Sequence, residues 1–383
     1  MKKRILFVTR NFPPLTGGME RLNYHAFESL SGRYETMLLG PEGCGGYALG
    51  RPATAISTGS SLWYVLRSCF EACRLSRQWR PDLIIAGSGV AALPARIAAR
   101  CSGAATLTLV HGLDIIYPSR LYQTGFVPAI CSSDRVIANS ANTARLACAA
   151  GVPEKRIEIL HPGVALPRQP SETAPPRLGF DLQGKRVLLA VGRLIRRKGL
   201  PEFIRYALPE IVREEPDLLF LVVGAATESS PLKKEGIEAD LQQAIEEAGM
   251  QGHVKLLGRL SDELLEQLFS IASLHIFPVL DLPGDVEGFG MVAIEAAAHG
   301  VPTIAFDTGG VPDALKEGVT GYLVEAGNYA AFSQAVVRGL RRSGKLLSAQ
   351  CCVEFAARFS WDRYGQRLSA ICEKMLSSHS QGD

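Results

Sequence analysis

No apolar run in the 383-residue chain approaches the ~20 residues that cross a bilayer, which argues against a membrane-spanning helix. No Asp-x-Asp occurs either, so a carboxylate pair for bridging a metal ion is missing and no metal site is expected. The nine cysteines are odd in number and scattered. They suggest no disulfide framework, and Cys69 and Cys73 lack the second pair that zinc would need. A reducing, cytoplasmic home is the expectation from that usage. Met1-Lys-Lys-Arg4 is basic, but the apolar stretch Ile5 to Val8 is too short for a signal-peptide core and reads as a strand. There is no strong excess of one charge: 41 basic against 38 acidic residues leave +3, and no nucleic-acid partner is expected.

What is present is globular: 47% hydrophobic residues with 21% charged, over a length that calls for two domains. The charge is unevenly placed. Residues 1–165 hold 18 Lys and Arg against 10 Asp and Glu, a balance of +8, and the remainder holds 23 against 28, or −5. Short, nearly continuous apolar runs predict buried parallel strands at Ile5–Thr9, Thr36–Leu39, Leu83–Ala86, Thr106–Val110, Val136–Ala138 and Ile157–Leu160. Helical stretches lie between them, which is a doubly wound α/β pattern. The proline-rich segment 166–184, with no periodicity, reads as a linker. A second series follows, with strands at Val187–Val191, Leu218–Val223, Val254–Leu257, Leu274–Phe277 and Thr303–Ala305. A last helix starts at Trp361. The expected domains are therefore 1–165 together with 361–383, and 185–360.

The chemistry concentrates in residues 281–302, DLPGDVEGFGMVAIEAAAHGVP. Glu287 precedes a helix whose strong formers run from Met291 to His299, and Glu295 lies about two turns inside it. Gly288 and Gly290 allow the backbone close to a ligand, while the first free N–H groups of the helix attract phosphate. Carboxylates suit hydroxyls, so a ligand with both a diphosphate and sugar rings fits. Gly192-Arg193 and Lys198-Gly199, at the carboxyl end of a strand, can clamp adjacent phosphates. In the first half, Gly17-Gly18 opens a helix after the first strand, and His111-Gly-Leu-Asp114 follows the strand Thr106–Val110 at the sheet edge that binds ligands. Gly87-Ser-Gly89 matches a dinucleotide fingerprint but has no acid at the end of the next strand, so a nicotinamide site is disfavoured.

Gly17-Gly18, His111-Gly, Gly192-Arg193 with Lys198-Gly199, Glu287-x7-Glu295 and Gly309-Gly310-x-Pro312 occur in this order. Together they resemble the retaining glycosyltransferases of family four, over nearly the whole chain. Asp285-Val-Glu-Gly-Phe-Gly290 is most similar to the bacterial mannosyltransferase branch that acts on lipid-linked acceptors; Asp313 departs from the family's usual Glu. The resemblance implies a GT-B fold, in which two Rossmann-like domains face across a cleft. It also implies that Arg193 and Lys198 hold the diphosphate of a GDP- or UDP-linked sugar, with no further cofactor. Glu287 would bind sugar hydroxyls and Glu295 the ribose. Gly17 and Gly18 would lie near the phosphates, His111 near the sugar and Asp114 near the acceptor or the sugar, with Glu287, His111, Arg193 and Lys198 as the catalytic set. Gly288, Phe289, Gly290 and Met291 would bind the donor, and Arg259 and Leu260 would line its base pocket. A nucleotide-sugar epimerase of the same fold and a non-catalytic carbohydrate-binding protein remain as alternatives.

One helix points to a partner. Over Leu62 to Gln78 the 3.6-residue period puts Leu62, Val65, Leu66, Cys69 and Cys73 on a core face. Trp63, Arg67, Phe70, Arg74 and Arg77 fall on a flank suited to an anionic bilayer surface. Peripheral attachment at the inner face of the cell membrane, with a lipid-linked or oligosaccharide acceptor, is the expectation.

Overall fold

The computed structural model describes residues 2–167, 178–226, 236–341 and 347–379. It divides into two compact units, Met1–Gly163 with Trp361–Asp383, and Val164–Ser360. Most of the expected linker, residues 168–177, lies outside the described residues, as do residues 380–383 at the end of the last segment. The rest of the linker is not free: Leu178, Phe180 and Leu182 pack against the second unit's core.

The first unit holds seven strands: β1 (Arg4–Val8), β2 (Glu35–Pro41), β3 (Ala53–Ile56), β4 (Leu83–Ala86), β5 (Ala105–Val110), β6 (Arg135–Ala138) and β7 (Ile157–Ile159). All pair in parallel in the order β3-β2-β1-β4-β5-β6-β7. The second unit holds β8 (Arg186–Val191), β9 (Leu218–Val223), β10 (Val254–Gly258), β11 (Ala272–Phe277), β12 (Thr303–Phe306) and β13 (Gly321–Val324). Their order, β10-β9-β8-β11-β12-β13, repeats the first arrangement strand for strand up to its sixth member. These are two Rossmann-like parallel sheets. The strand order reverses between β1 and β4 in one unit and between β8 and β11 in the other. The carboxyl ends at such a switch point form the crevice where ligands bind. Two four-residue edge strands, β3 and β13, were not expected: β3 has a single buried residue, and β13 opens on Gly321 and is too short to leave a long apolar run.

The strands are buried on both faces because helices cover both. In the first unit Phe7, Phe27 and Leu30 form one core with Tyr364, Leu368, Cys372 and Leu376 of the helix Trp361–His379. His25 stacks on Trp361 with ring centroids 4.1 Å apart. That last helix therefore belongs to the first unit's core although it follows the second unit in sequence.

Two expectations are corrected. Cys73 and Cys101 form a disulfide with their Cα atoms 6.1 Å apart, where no pairing was expected. They sit on the helices Ser61–Trp79 and Gly89–Ser102, which pack together, and a separation of 28 residues gives no hint of that contact. The helix Ser61–Trp79 also presents a different face inward. Tyr64, Ser68, Glu71, Ala72 and Leu75 are buried, whereas Leu62 is 68% and Leu66 56% exposed. Its partner helix is lined with Ala91, Ala92, Ala95 and Ala98, and close approach to it selects small residues and a few well-fitting large ones over the most apolar stripe.

Leu368→Ala should lower the unfolding free energy by about 2–5 kcal/mol, as deleting a fully buried leucine does, while a loss below ~0.5 kcal/mol would exclude the last helix from this core. Urea denaturation measures it.

Candidate donor site on the second unit

Three loops leave the carboxyl ends of β8, β11 and β12, and hydrogen bonds to their backbone carbonyls tie them together. Leu280 N donates to Arg197 O at 2.8 Å, Thr308 Oγ1 to Val279 O at 3.0 Å, and Gly310 N to Glu287 O at 2.8 Å. The glycines make this possible. Gly199 has φ +66, and a Cβ there would overlap Pro278 O; Gly309 has φ +54, and a Cβ there would meet Glu287 O at 2.6 Å. Any other residue at either position would push the loops apart.

On this scaffold four charged side chains meet. Lys198 Nζ donates to Glu287 Oε2 at 2.8 Å, and Arg197 Nη1 donates to the same oxygen. Arg197 Nε donates to Asp285 Oδ1 at 3.0 Å. Lys198 Nζ also lies 4.5 Å from the centre of the Phe277 ring, a cation–π contact. Burial alone would raise the Glu287 carboxyl, but the neighbouring Arg197 and Lys198 overcome it and hold Glu287 at about 2. Burial lowers Lys198, with Glu287 opposing and Arg197 adding to the effect. Behind them His275 is fully buried, its Nδ1 3.1 Å from Thr303 Oγ1, and burial followed by the Lys198 charge pushes it down to about 3. It is a neutral ring and part of the floor.

Lys198 and Arg193 line a small cavity with Gly192, Ile276, Phe277 and Pro278. Arg193 is exposed and has no ion-pair partner among the described residues. A guanidinium and an ammonium at one cavity, beside the switch point, are chemistry for a phosphate. Gly290, with φ +90, starts the helix Met291–Ala298, and Glu295 lies half-buried on it. The Phe289 side chain goes into the core, so only its backbone can face a ligand. Arg259 is exposed just after β10, and Leu260 packs on the core there.

In the first unit Gly17 caps the helix Gly18–Ser31, and a Cβ on Gly17 would collide with the Glu20 carboxylate, which accepts from Asn11 Nδ2 at 2.8 Å. His111 is buried with Nε2 3.1 Å from Gly87 O. A carbonyl only accepts, so Nε2 donates in this contact. Asp114 Oδ2 accepts from Gly89 N at 3.1 Å. The fingerprint-like Gly87-Ser-Gly89 turn thus has a protein carboxylate where a pyrophosphate would need a donor. Its glycines are explained by packing: a Cβ on Gly87 would strike Thr9 and Asn23, and one on Gly89 would meet Asp114 and Ile130.

Sequence reasoning missed Arg197, the most buried cation of the site at 5% exposure. The run Arg196-Arg197-Lys198 contained it, but only the tight turn over these residues shows which side chain goes inward. Arg196 turns out to pair with Glu202 and Asp240. Among the described residues no three His, Cys, Asp or Glu side chains gather as metal ligands would, and no helix is long and apolar enough to cross a membrane.

Residues 16–168 match Glycosyltransferase Family 4, and residues 177–349 match Glycosyl transferases group 1. Each half of the chain is thus similar to a glycosyltransferase domain, and the two matches together span most of its length. A D-inositol 3-phosphate glycosyltransferase of Segniliparus rotundus is 32% identical over 247 residues, which are 63% of this chain and 52% of that protein. The chain thus spans about half the length of the curated relatives it matches. The solved structure of HepE from Anabaena in complex with UDP aligns with a TM-score of 0.77 at 20% identity, over 97% of this chain and all of that one. HepE with UDP-glucose aligns with a TM-score of 0.76, also at 20% identity, over 97% and 99%. The fold is GT-B, and in the second unit the ion network sits at the sheet's switch point.

The depressed Glu287 carboxyl makes stability depend on acid. Its folded value of about 2 lies below the ordinary 4.5, so its contribution is complete above about pH 4.5 and is lost as pH falls toward 2. Glu287→Gln should flatten the acid limb of thermal stability over that window. An acid limb identical to wild type would contradict the ionised, paired Glu287.

Proposed function

We propose that the protein is a retaining glycosyltransferase that moves a hexose from a nucleotide diphosphate sugar, UDP- or GDP-linked, to a lipid-linked or oligosaccharide acceptor. The observation that carries this reading is Lys198 and Arg193 at one cavity with Glu287 held beside them. An acceptor hydroxyl attacks the anomeric carbon and loses its proton, and the nucleoside diphosphate leaves with the bonding electrons. Negative charge grows on the leaving diphosphate, where Arg193 and Lys198 stabilise it, a preorganised electrostatic contribution of the kind that is commonly the largest in catalysis. Both cations on Glu287 use Oε2, so Oε1 has no donor among the described residues and suits a sugar hydroxyl. Glu295 is assigned to the ribose, and Arg259 and Leu260 to the base. HepE's solved complexes with UDP and UDP-glucose support a nucleotide-sugar donor. The reaction as written needs no metal.

The acceptor reading rests on the helix Ser61–Trp79. Leu62, Trp63, Leu66 and Phe70 are each more than half exposed, and Arg67, Arg74 and Arg77 lie among them. Arg67 and Arg74 share Glu71 at 2.7 Å each, and Arg67 also lies over the Phe70 ring, 5.5 Å from its centre. Four large apolar side chains with flanking cations on a basic domain suit an anionic bilayer surface. This face is more apolar than the flank expected from periodicity, which strengthens the membrane reading. A phosphorylated cyclitol acceptor is the second reading, and the relatives' printed name favours it. An epimerase is distinguished by a reaction that needs no acceptor.

Lys198→Ala should lower kcat/KM by roughly 10² or more, and EDTA should leave wild-type turnover intact. Unchanged kinetics in a folded Lys198→Ala would remove it from the mechanism, and loss with EDTA reversed by Mg²⁺ or Mn²⁺ would overturn the metal-free chemistry. In sedimentation with phosphatidylglycerol-containing vesicles, wild type should pellet, and Trp63→Ser with Phe70→Ser should stay in the supernatant. Wild type in the supernatant at low salt would favour the soluble acceptor.

A further inference from the structure

Arg197 presents a problem that the phosphate chemistry does not explain. It is a cation beside an expected anion site, yet it is buried and absent from the cavity wall that Arg193 and Lys198 line. Its guanidinium spans Asp285 and Glu287, and its backbone oxygen accepts from Leu280 N at 2.8 Å. Both ends of the residue are therefore committed to the loop after β11. Glu287 is fixed at its other end too, through Gly310 N and the close approach of Gly309.

The local charges balance: Asp285 and Glu287 against Arg197 and Lys198. A diphosphate entering the cavity recruits Lys198, which in the free protein also serves Glu287. Without another partner, Glu287 would then be a buried carboxylate with no counter-charge, which is strongly unfavourable. Lys198 would be contested between the two anions. A planar, always-charged fork already bonded to Glu287 removes that conflict, and a lysine at 197 could not span both carboxylates.

We propose that Arg197 is a positioning residue: the resident counter-ion of Glu287, which frees Lys198 to exchange from Glu287 to the donor's diphosphate. This rests on the function proposed above. Arg197 does not touch the donor; it acts through Glu287.

The test is calorimetric titration of UDP and GDP into wild type, Arg197→Lys, Arg197→Met and the double variant Arg197→Met/Glu287→Gln, at pH 7 and pH 5. Arg197→Met should bind the nucleotide about tenfold more weakly at pH 7, a coupling of the size found between contacting charged groups. Its affinity should recover at pH 5, because Glu287 without Arg197 protonates more readily and releases Lys198. The double variant should bind within about threefold of wild type at pH 7, since the competing carboxylate is gone, while its turnover stays low. Arg197→Lys should lie between wild type and Arg197→Met, and it carries the same pH comparison if Arg197→Met does not fold. A merely structural Arg197 gives a different result: weak binding in the single variant that neither acid nor Glu287→Gln restores. That result, or unchanged affinity in Arg197→Met, overturns the proposal and leaves the glycosyltransferase reading standing. Wild type that binds neither nucleotide would sink that reading and this inference with it.

Discussion

The second unit depends on one largely buried carboxylate, Glu287, that must stay ionised with little access to water. Desolvation opposes that state, and two cations from the turn after β8 reverse the balance. The loops, glycines and hydrogen bonds around it follow from that need. Arg197 and Lys198 are adjacent in sequence, so a single tight turn delivers both, and Gly199 lets the turn settle onto Pro278. Gly309 and Gly310 bring the loop after β12 against the backbone of Glu287 itself. The charges are thus held by three strand ends of one sheet, and a rigid scaffold of that kind is how an active site avoids reorganising when charge develops.

The first unit has the same strand order with different surroundings at its carboxyl edge. At its carboxyl edge the polar groups are largely engaged with one another: Asp114 with Gly89, His111 with Gly87, Asn23 with Thr9. The edge that would cradle a dinucleotide phosphate is closed by the protein's own carboxylate. What distinguishes this unit is outside the sheet, in the helix that leaves Leu62, Trp63, Leu66 and Phe70 uncovered. A row of large apolar side chains on one helix differs from the scattered exposure found on any surface, and the proposed acceptor reading rests on it.

Much of this was legible in the sequence, for reasons that can be traced to particular residues. Strands buried on both faces leave continuous apolar runs, so the central strands of both sheets were visible, whereas the four-residue edges β3 and β13 were not. Gly192, Arg193, Lys198 and Glu287 stand out in the sequence because their spacing around glycines suits phosphate and sugar chemistry, and the structure gathers them at the carboxyl ends of β8 and β11. Arg197 was hidden in a run of three cations, since sequence does not say which member of a run turns inward. The buried face of the helix Ser61–Trp79 was misread because periodicity ranks faces by hydrophobicity. Burial there was decided by fit to an alanine-lined neighbour, which accepted Tyr64 and even Glu71. The Cys73–Cys101 bond was invisible for the same reason, as it depends on which helices touch.

The proposed function requires that the second unit bind a nucleotide diphosphate sugar. A thermal-shift comparison of UDP- and GDP-sugars with NAD⁺ and NADP⁺ tests it most directly, because a ligand that binds only the folded state raises the melting point in proportion to its saturation. At a hundredfold excess over Kd such a ligand adds about 2.7 kcal/mol, enough for a shift of several degrees in a domain of this size. The account predicts a rise with at least one UDP- or GDP-sugar and none with the nicotinamide dinucleotides. No rise with any nucleotide sugar, or a rise with NAD⁺ or NADP⁺ alone, would contradict it.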